Sequence, residues 1–185
     1  MAEGIEENTQ KSMNIVLSID PGINGGVAVF HDGVLKSLHT IPEVAKGKVD
    51  YNELYNLLES KSKNETFGDT TIVLEEVHSV FGASAKSNFS FGHINGVLLG
   101  MIVALGHPIV LVQPKEWQKV IWSNNDKVFK PGKAKQTVDT KATSLLAAKR
   151  LFPKTDFVPT KRSTKPHDGL VDAALIGKWF LYGHK

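Results

Sequence analysis

The segment IVLSIDPGINGGVAVF (residues 15–30) consists of two apolar runs joined by a glycine-containing turn. Each run is rich in Val, Ile or Leu, as buried strands are, and Pro-Gly and Gly-Gly favour a tight reversal between them. A third run, GVLKSLHTI, follows a turn at Asp32-Gly33, so we predict a three-stranded antiparallel meander. The first strand ends at Asp20, where an aspartate either starts a turn or serves a function.

Alternating strands and helices are predicted after this meander. Leucines at helical spacing follow Asp50, and DTTIVLEEV is typical of a strand that ends in carboxylates. Further predicted elements are a helix over 86–105, a strand PIVLV, a helix opened by Pro114, a basic loop over 123–137, a helix capped by Asp139, and a last helix from near Pro166 to Gly183. This order predicts an α/β domain over 14–185, with a mixed sheet of antiparallel and parallel strands flanked by helices, after a flexible tail over 1–13.

Composition narrows the possible chemistry. The 185 residues include no cysteine, which excludes disulfides, thiol nucleophiles and thiolate metal sites, so any metal binds to oxygen or imidazole. The formal charge is +3, and most basic residues lie in the C-terminal half, which suits either a polyanion groove or a solvated basic face. No apolar run reaches the roughly 20 residues of a membrane span. The polar N-terminus lacks a signal-peptide pattern, and we expect a cytoplasmic protein.

Four carboxylates stand at positions that indicate a shared site. Asp20 and Glu75 end strands, and Asp168 and Asp172 are spaced i,i+4, about 5–6 Å apart between Cβ atoms on one helical face. Like charges this close repel unless a cation lies between them, and Mg²⁺ prefers such oxygen ligands. Structural interpretations compete: Asp20 as a turn residue and Asp168 as a helix N-cap. Asp172 lies among apolar residues, where a lone carboxylate is hard to accommodate.

Six segments occur in the order seen in one nuclease family. They are SIDPGINGGVAVF, VLEEVHSVFG, SNFSFGHINGVLLG, VQPKEWQK, DTKATSLLAAKRLFP and HDGLVDAALIG. Together they resemble the RuvC-like Holliday junction resolvases, most of all the phage and organellar branch. The resemblance implies an RNase H-like fold and a homodimer. It also implies symmetric nicking of four-way DNA junctions with two Mg²⁺ ions per site, or Mn²⁺ in their place, leaving 5′-phosphate and 3′-hydroxyl ends.

The resemblance also implies catalytic, metal-binding roles for individual residues. Asp20 matches the first-strand aspartate, Glu75 the family glutamate and Asp172 the last-helix aspartate. No covalent enzyme intermediate is required, because a metal-bound water is the nucleophile in such a reaction.

The fourth active-site group is less certain from the motif. The bacterial enzymes carry an acidic or imidazole group three residues before the last aspartate, where this chain has Gly169. Geometry favours Asp168, which shares a helical face with Asp172, whereas His167 is rotated by about 140° on a regular helix. His167 stays an alternative if the helix begins after it.

DNA contacts are predicted in the loop after Glu75 and on a basic surface. In the resembled family an aromatic residue of this loop inserts at the crossover, so Phe81 is the candidate wedge, and packing under the loop is the alternative. Trp117 is predicted to be a packing residue. The predicted DNA-binding residues are His78, Phe81, Ser84, Lys86, Asn88, Lys115, Lys119, Lys133, Lys135 and Lys141.

The resemblance implies that the helix over 86–105 forms the dimer interface. Gly92, Gly96 and Gly100 recur every four residues and cost about 1 kcal/mol each in helix propensity. Such a cost indicates that another backbone approaches closely, either in the core or across a dimer.

Two other functions compete with nuclease activity. An actin-like phosphotransferase would use DPGINGG to cradle a nucleotide phosphate, but it needs a second phosphate loop and an adenosine motif, and 185 residues are too few for its two lobes. A junction-binding protein without catalysis would have no reason to keep mutually repelling acids beside a phosphate track.

Overall fold

The computed structural model describes residues 14–63, 69–76, 84–132 and 137–183. Its strands are β1 (Ile15–Asp20), β2 (Gly26–His31), β3 (Val34–Thr40), β4 (Glu43–Ala45), β5 (Lys48–Val49), β6 (Thr70–Glu75) and β7 (Ile109–Val112). Its helices are α1 (Tyr51–Ser62), α2 (Ala85–Leu105), α3 (Pro114–Ile121), α4 (Thr140–Leu151) and α5 (Asp168–Gly183), with a 3₁₀ turn at Asn124–Asp126. The predicted order is confirmed, except that the hairpin of β4 and β5 is additional. Strands this short carry no periodic pattern.

Five strands form one mixed sheet in the order β3-β2-β1-β6-β7. β1 pairs with β2, and β2 with β3, in antiparallel fashion, as tight turns require. β6 is parallel to β1, and β7 is parallel to β6. The predicted combination of a meander and parallel strands is therefore confirmed, and the carboxyl ends of β1, β6 and β7 lie at one edge of the sheet.

Helices cover both faces of the sheet, and alternation along β1 decides which face each side chain meets. Leu17 packs with α1 and α2, whereas Val16 packs with α3, α4 and α5. Ser18 is buried on the second face and donates from Oγ to Ala173 O of α5 at 2.7 Å. Asp20 continues the series of Val16 and Ser18 and therefore points toward the α5 side.

α2 packs on the sheet through a narrow stripe. Ile94, Leu98 and Ile102 are its buried residues, out of 21 in the helix. By length and composition, α2 is also apolar enough to cross a membrane. Only 17% of its apolar 18-residue stretch is buried. A helix that covers a sheet has the same length and composition, so these properties do not place α2 in a membrane. What the packing shows directly is a large outer face that the described residues leave uncovered.

The three glycines at four-residue spacing lie on that outer face. Apart from the neighbouring backbone of α2 itself, a Cβ placed at Gly92, Gly96 or Gly100 would meet no atom within 4 Å among the described residues. The expectation that a core backbone approaches them is therefore wrong in the described part of the chain. The alternative, contact with a second molecule, stays a prediction.

An ion pair ties the 3₁₀ turn to α4. Arg150 donates from Nη2 to Asp126 Oδ2 at 2.7 Å and to Ile121 O at 2.9 Å. Ser123 N donates to the same Asp126 oxygen at 2.8 Å. The Asp126 side chain is 5% exposed, and the hydrogen bond from Arg150, with those from Ser123, lowers its pKa to about 2. These contacts attach the start of the predicted basic loop (123–137) to α4.

Replacing Asp126 by Asn should destabilise the protein at pH 7 but hardly at pH 2. The pKa of Asp126 in the folded protein lies below the ordinary 3.8, so the ionised carboxylate adds about 2 kcal/mol to the free energy of unfolding. This contribution is present above pH 4 and is lost as the pH falls toward 2. Urea unfolding of both proteins across this range measures it. Glu59→Gln breaks an exposed pair with Lys63 and should cost under about 0.5 kcal/mol. A loss for Asp126→Asn that does not change with pH would contradict the prediction.

Candidate active site

Asp20 and Glu75 stand side by side at the carboxyl edge of the sheet. Ile19 pairs with Leu74 in the parallel register of β1 and β6, so Asp20 and Glu75, one residue further on, occupy equivalent positions. Residues at equivalent positions of neighbouring strands point to the same face, which here is the face covered by α3 and α5. Two buried strands therefore deliver two carboxylates to one region.

α5 brings the other two carboxylates against this edge. Its first turn contacts the β1–β2 turn backbone to backbone: a Cβ at Gly26 would stand 2.6 Å from Gly169 O, and one at Gly169 would overlap Asn24 O. A side chain at position 169 would force the turn and the helix apart. This explains why the chain has no acid at that position, and the neighbouring Asp168 offers a carboxylate instead.

The end of β1, the start of α2 and the start of α5 border a cavity of about 500 Å³, and Glu75 is not among the residues that line it. It is lined by the carboxylates Asp20, Asp168 and Asp172, the lysines Lys86 and Lys141, the α2 residues Ser87, Ser90, Phe91 and Ile94, and the β1–β2 turn with Gly169. The sequence interpretation did not include Phe91. Its ring lies 3.6 Å from the place where a Cβ of Gly22 would stand. Phe91 follows Ser87 by four positions, so helical spacing alone would have placed these two residues on the same face of α2, the face that lines the cavity.

Burial and mutual repulsion raise the pKa values of two of these carboxyl groups. Burial is the largest cause for Asp20, whose pKa lies well above 3.8, followed by repulsion from Asp172, Glu75 and Asp168. The pKa of Asp172 rises to about 7, chiefly through burial, although a hydrogen bond with Ser144 opposes the rise. Oδ1 of Asp172 is buried and has no hydrogen-bond partner among the described residues. The four acids thus act on one another electrostatically.

Lys141, in the first turn of α4, offsets part of this negative charge. Its ammonium group forms an ion pair with Asp168 Oδ2. The hydrogen bond and the charge of Asp168 raise the pKa of Lys141. Both side chains are exposed, so the pair is open to solvent and to a ligand in the cavity.

Glu75 is held by a buried indole. Trp117 on α3 donates from Nε1 to Glu75 Oε1 at 2.7 Å. Burial raises the pKa of Glu75, and this hydrogen bond lowers it in part. Trp117 is a buried packing residue, as predicted. Its contact with Glu75 does not follow from the sequence, because 42 positions separate the two residues.

His167 lies immediately before α5 and away from the cavity. Its backbone N–H donates to Phe157 O at 2.7 Å, and its carbonyl accepts from Leu170 N. Its ring borders a separate surface depression, and ring Nδ1 is buried without a partner in the described part of the structure. Asp168, and not His167, shares the cavity with Asp172.

The predicted DNA-binding residues fall into three groups. Those outside the described residues are His78, Phe81, Lys133 and Lys135, so the wedge at Phe81 stays a prediction. Those at the start of α2 are Ser84, Lys86 and Asn88, of which Ser84 caps the helix by accepting from Ser87 N at 3.1 Å. Those on other helices are Lys115 and Lys119, exposed on α3, and Lys141. Of the whole set, Lys86 and Lys141 line the cavity among the described residues.

The donor set fits a hard divalent cation by its chemistry. All four side chains offer carboxylate oxygens, which Mg²⁺ prefers, and the buried Oδ1 of Asp172 is an available acceptor. As the side chains are placed, no three His, Asp or Glu residues in the described ranges stand close enough to hold one ion. Asp168 is paired with Lys141 instead.

Comparison with known proteins identifies the architecture. The sequence matches no protein-family model and no curated protein. T. thermophilus RuvC in complex with Holliday junction substrate superposes with a TM-score of 0.53 at 14% identity, over 91% of this chain and 92% of that chain. The chain has the RuvC fold. The yeast mitochondrial Holliday junction resolvase Ydc2 shares this fold, with a TM-score of 0.54 at 15% identity over 92% of this chain and 78% of that chain. The expected RNase H-like fold is therefore confirmed.

Replacing Asp172 by Asn should stabilise the protein above pH 7. The folded-state pKa of about 7 exceeds the ordinary 3.8, so the protonated carboxyl favours folding, and that contribution is lost as the pH rises from about 4 through 7. The amide of the variant stays neutral at every pH. Its free energy of unfolding should therefore exceed that of the wild type by on the order of 2 kcal/mol at pH 8 and by little at pH 4. Urea unfolding in the presence of a chelator measures both values.

The control for this comparison is Asp156→Asn, which neutralises an exposed aspartate outside the cavity. It should change stability little at either pH. A variant Asp172→Asn that is less stable than the wild type at pH 8 would contradict the raised pKa of Asp172.

Proposed function

We propose that this protein is a DNA endonuclease that resolves four-way (Holliday) junctions and related branched DNA by paired symmetric nicks. The observation that carries the proposal is the convergence of Asp20, Glu75, Asp168 and Asp172 at the carboxyl edge of a RuvC fold. Of the two proteins compared above, one is seen with Holliday junction substrate and the other is a Holliday junction resolvase. Both support the same substrate for this chain.

The four carboxylates would hold Mg²⁺, or Mn²⁺ in its place, and we propose two ions per active site. When bound, such ions supply an activated water nucleophile and stabilise the departing oxygen. Their positive charge would also relieve the repulsion that raises the pKa values of Asp20 and Asp172. The cavity therefore favours cations in the place where phosphodiester hydrolysis needs them.

The chain's own residues bind and orient the DNA strand. Lys86 and Lys141 stand on different helices of the cavity wall, where they would contact phosphates on either side of the scissile one. Phe91 offers an aromatic face at the same wall, to which a sugar or base would pack. Loss of the 3′ oxygen from phosphorus would leave 5′-phosphate and 3′-hydroxyl ends.

We also propose that the protein works as a homodimer joined through α2. The outer face of this helix exposes Phe89 (76% exposed) and Val103 (68%), and its three glycines leave room for close contact. Apolar patches of this kind on a folded surface mark interaction sites. Two active sites related by a two-fold axis would match the symmetry of a four-way junction and account for paired nicks.

A junction-binding protein without catalysis is the second candidate, since the fold and the lysines would serve binding alone. The elevated pKa values of Asp20 and Asp172 argue against it, because partly buried acids that repel one another weaken both folding and phosphate binding. The phosphotransferase has less support. The turn that would cradle a nucleotide phosphate packs against Gly169 and lies beside Phe91 instead.

The experiment that tests the proposal uses a labelled, mobile four-way junction incubated with protein and Mg²⁺. The wild type should make nicks at symmetric positions on opposing strands. Asp20→Asn should lower the nicking rate by about 100-fold or more, because metal stabilisation of the transition state is worth several kcal/mol, while junction binding changes little. Unchanged nicking by this variant would rule out the metal site. Binding without nicking by the wild type, in Mg²⁺ and in Mn²⁺, would favour the binding-only candidate.

The same assay distinguishes the two candidates for the fourth group. Asp168→Asn should impair nicking, because Asp168 shares the cavity with Asp172, whereas His167→Gln should have little effect, because its ring borders another depression. The reverse order of effects would assign the role to His167.

Replacing Val103 by Glu should weaken the proposed dimer about tenfold or more, because a charge would be buried in an apolar contact. Analytical ultracentrifugation over a concentration series measures the association. Val44→Glu changes an equally exposed valine of β4 (65% exposed) and should leave the association unchanged. A wild-type protein that stays monomeric, or equal effects of the two variants, would contradict the α2 interface.

A further inference from the structure

The hydrogen bond from Trp117 to Glu75 links a buried helix residue to the acidic site. We propose that Trp117 is a positioning residue, whose indole N–H fixes the orientation of the Glu75 carboxylate and so determines which of its oxygens is left for a metal ion. This inference rests on the proposed function, because it assigns Glu75 to the metal-binding set. It goes beyond that function by naming a residue outside the carboxylates on which the site depends.

Trp117 is itself held in place. Its side chain is 1% exposed, and the ring of Trp122 meets it edge-on, with centroids 6.0 Å apart. α3 begins at a defined residue, because Pro114 occupies its first turn and Gln113 and Glu116 form a capping box. A buried ring on a short capped helix has little freedom to follow a moving carboxylate. The carboxylate therefore adopts the orientation that the indole allows.

The topology explains how these two distant residues meet. β7 pairs with β6 so that Glu75 stands opposite Val112, and α3 begins two residues later at Pro114. Helical side chains tilt toward the N-terminus of their helix, which for α3 is the edge of the sheet where Glu75 lies. Trp117, one turn into the helix, reaches Glu75 Oε1 at 2.7 Å.

The chemistry of the contact makes it more than packing. A phenylalanine at position 117 would fill most of the same space, but its ring has no N–H group to donate to Glu75, whereas the indole of tryptophan has one. Its bond to Oε1 engages one carboxylate oxygen and leaves Oε2 to bind elsewhere. Partners that orient a metal ligand in this way typically change metal affinity or activity by about 10–100-fold when they are removed.

Two neighbouring tryptophans provide a matched pair of variants. Trp117→Phe removes the N–H that donates to Glu75. Trp122→Phe removes a buried N–H that has no hydrogen-bond partner in the described part of the chain. Both changes delete the same atoms from one ring cluster, so a difference between them reports the hydrogen bond and not the loss of volume.

Mg²⁺ affinity is measured for the three proteins by titration calorimetry. Trp117→Phe should weaken Mg²⁺ binding about tenfold or more, and Trp122→Phe should change it less than about threefold. On the four-way junction, Trp117→Phe should lower kcat and leave KM nearly unchanged, because the DNA contacts are intact. Equal losses in the two variants, or no loss in either, would overturn the inference.

The wild-type protein offers a second readout that needs neither activity nor a folded Trp117 variant. The chain has three tryptophans, and their indole N–H signals are followed by ¹⁵N NMR. Trp122→Phe and Trp179→Phe assign two of the signals, which leaves the third to Trp117. Added Mg²⁺ should shift the Trp117 signal more than the signals of Trp122 and Trp179. A Trp117 signal that does not move while Mg²⁺ is taken up would overturn the inference, even if Trp117→Phe fails to fold.

These measurements separate the inference from the proposed function. Suppose that the wild type binds Mg²⁺ without nicking junctions, and that Mg²⁺ binding is weaker in Trp117→Phe but not in Trp122→Phe. This result would retain the positioning role and reject the endonuclease. A wild type that nicks junctions, with both variants equal to it in Mg²⁺ affinity and kcat, would retain the endonuclease and reject the positioning role. A wild type that takes up neither Mg²⁺ nor Mn²⁺ would reject both.

Discussion

The backbone contact between the first turn of α5 and the β1–β2 turn determines where the acidic site forms. Gly26 and Gly169 approach so closely that a side chain at either position would push the helix away from the sheet. About two turns further along, Gly177 leaves no room for a Cβ beside the Phe30 ring. These contacts set the separation between the strand carboxylates and the helix carboxylates, so the chemistry of the site depends on residues that have no side chain.

Placing four carboxylates at one edge of a sheet opposes folding. Burial and repulsion from the other acids raise the pKa values of Asp20 and Asp172. Two contacts offset part of the repulsion: Lys141 pairs with Asp168, and Trp117 donates to Glu75. What remains is relieved by a proton or by a cation. A site of this kind loses stability as the pH rises and gains affinity for divalent metal over the same range, which is the compromise expected of a metal-dependent active site.

α2 has three different surfaces. Its first two turns line the cavity through Lys86 and Phe91, a stripe around Leu98 packs on the sheet, and the outer face around Val103 is exposed and apolar. In the proposed dimer this helix would connect the interface to the cavity wall. The arrangement accounts for a largely apolar helix of which only a narrow stripe is buried by the described residues.

The sequence by itself determined the order of the main strands and helices, and it identified Asp20 and Glu75 as strand-end carboxylates. These features follow from local periodicity and from residues close together in the chain, as with the Asp50 N-cap, which accepts from the N–H three residues later. The β4–β5 hairpin was missed because it is too short for a pattern. Only the tertiary structure placed Asp168 in the cavity and Trp117 against Glu75. Both results depend on contacts between residues far apart in the chain, which packing alone brings together.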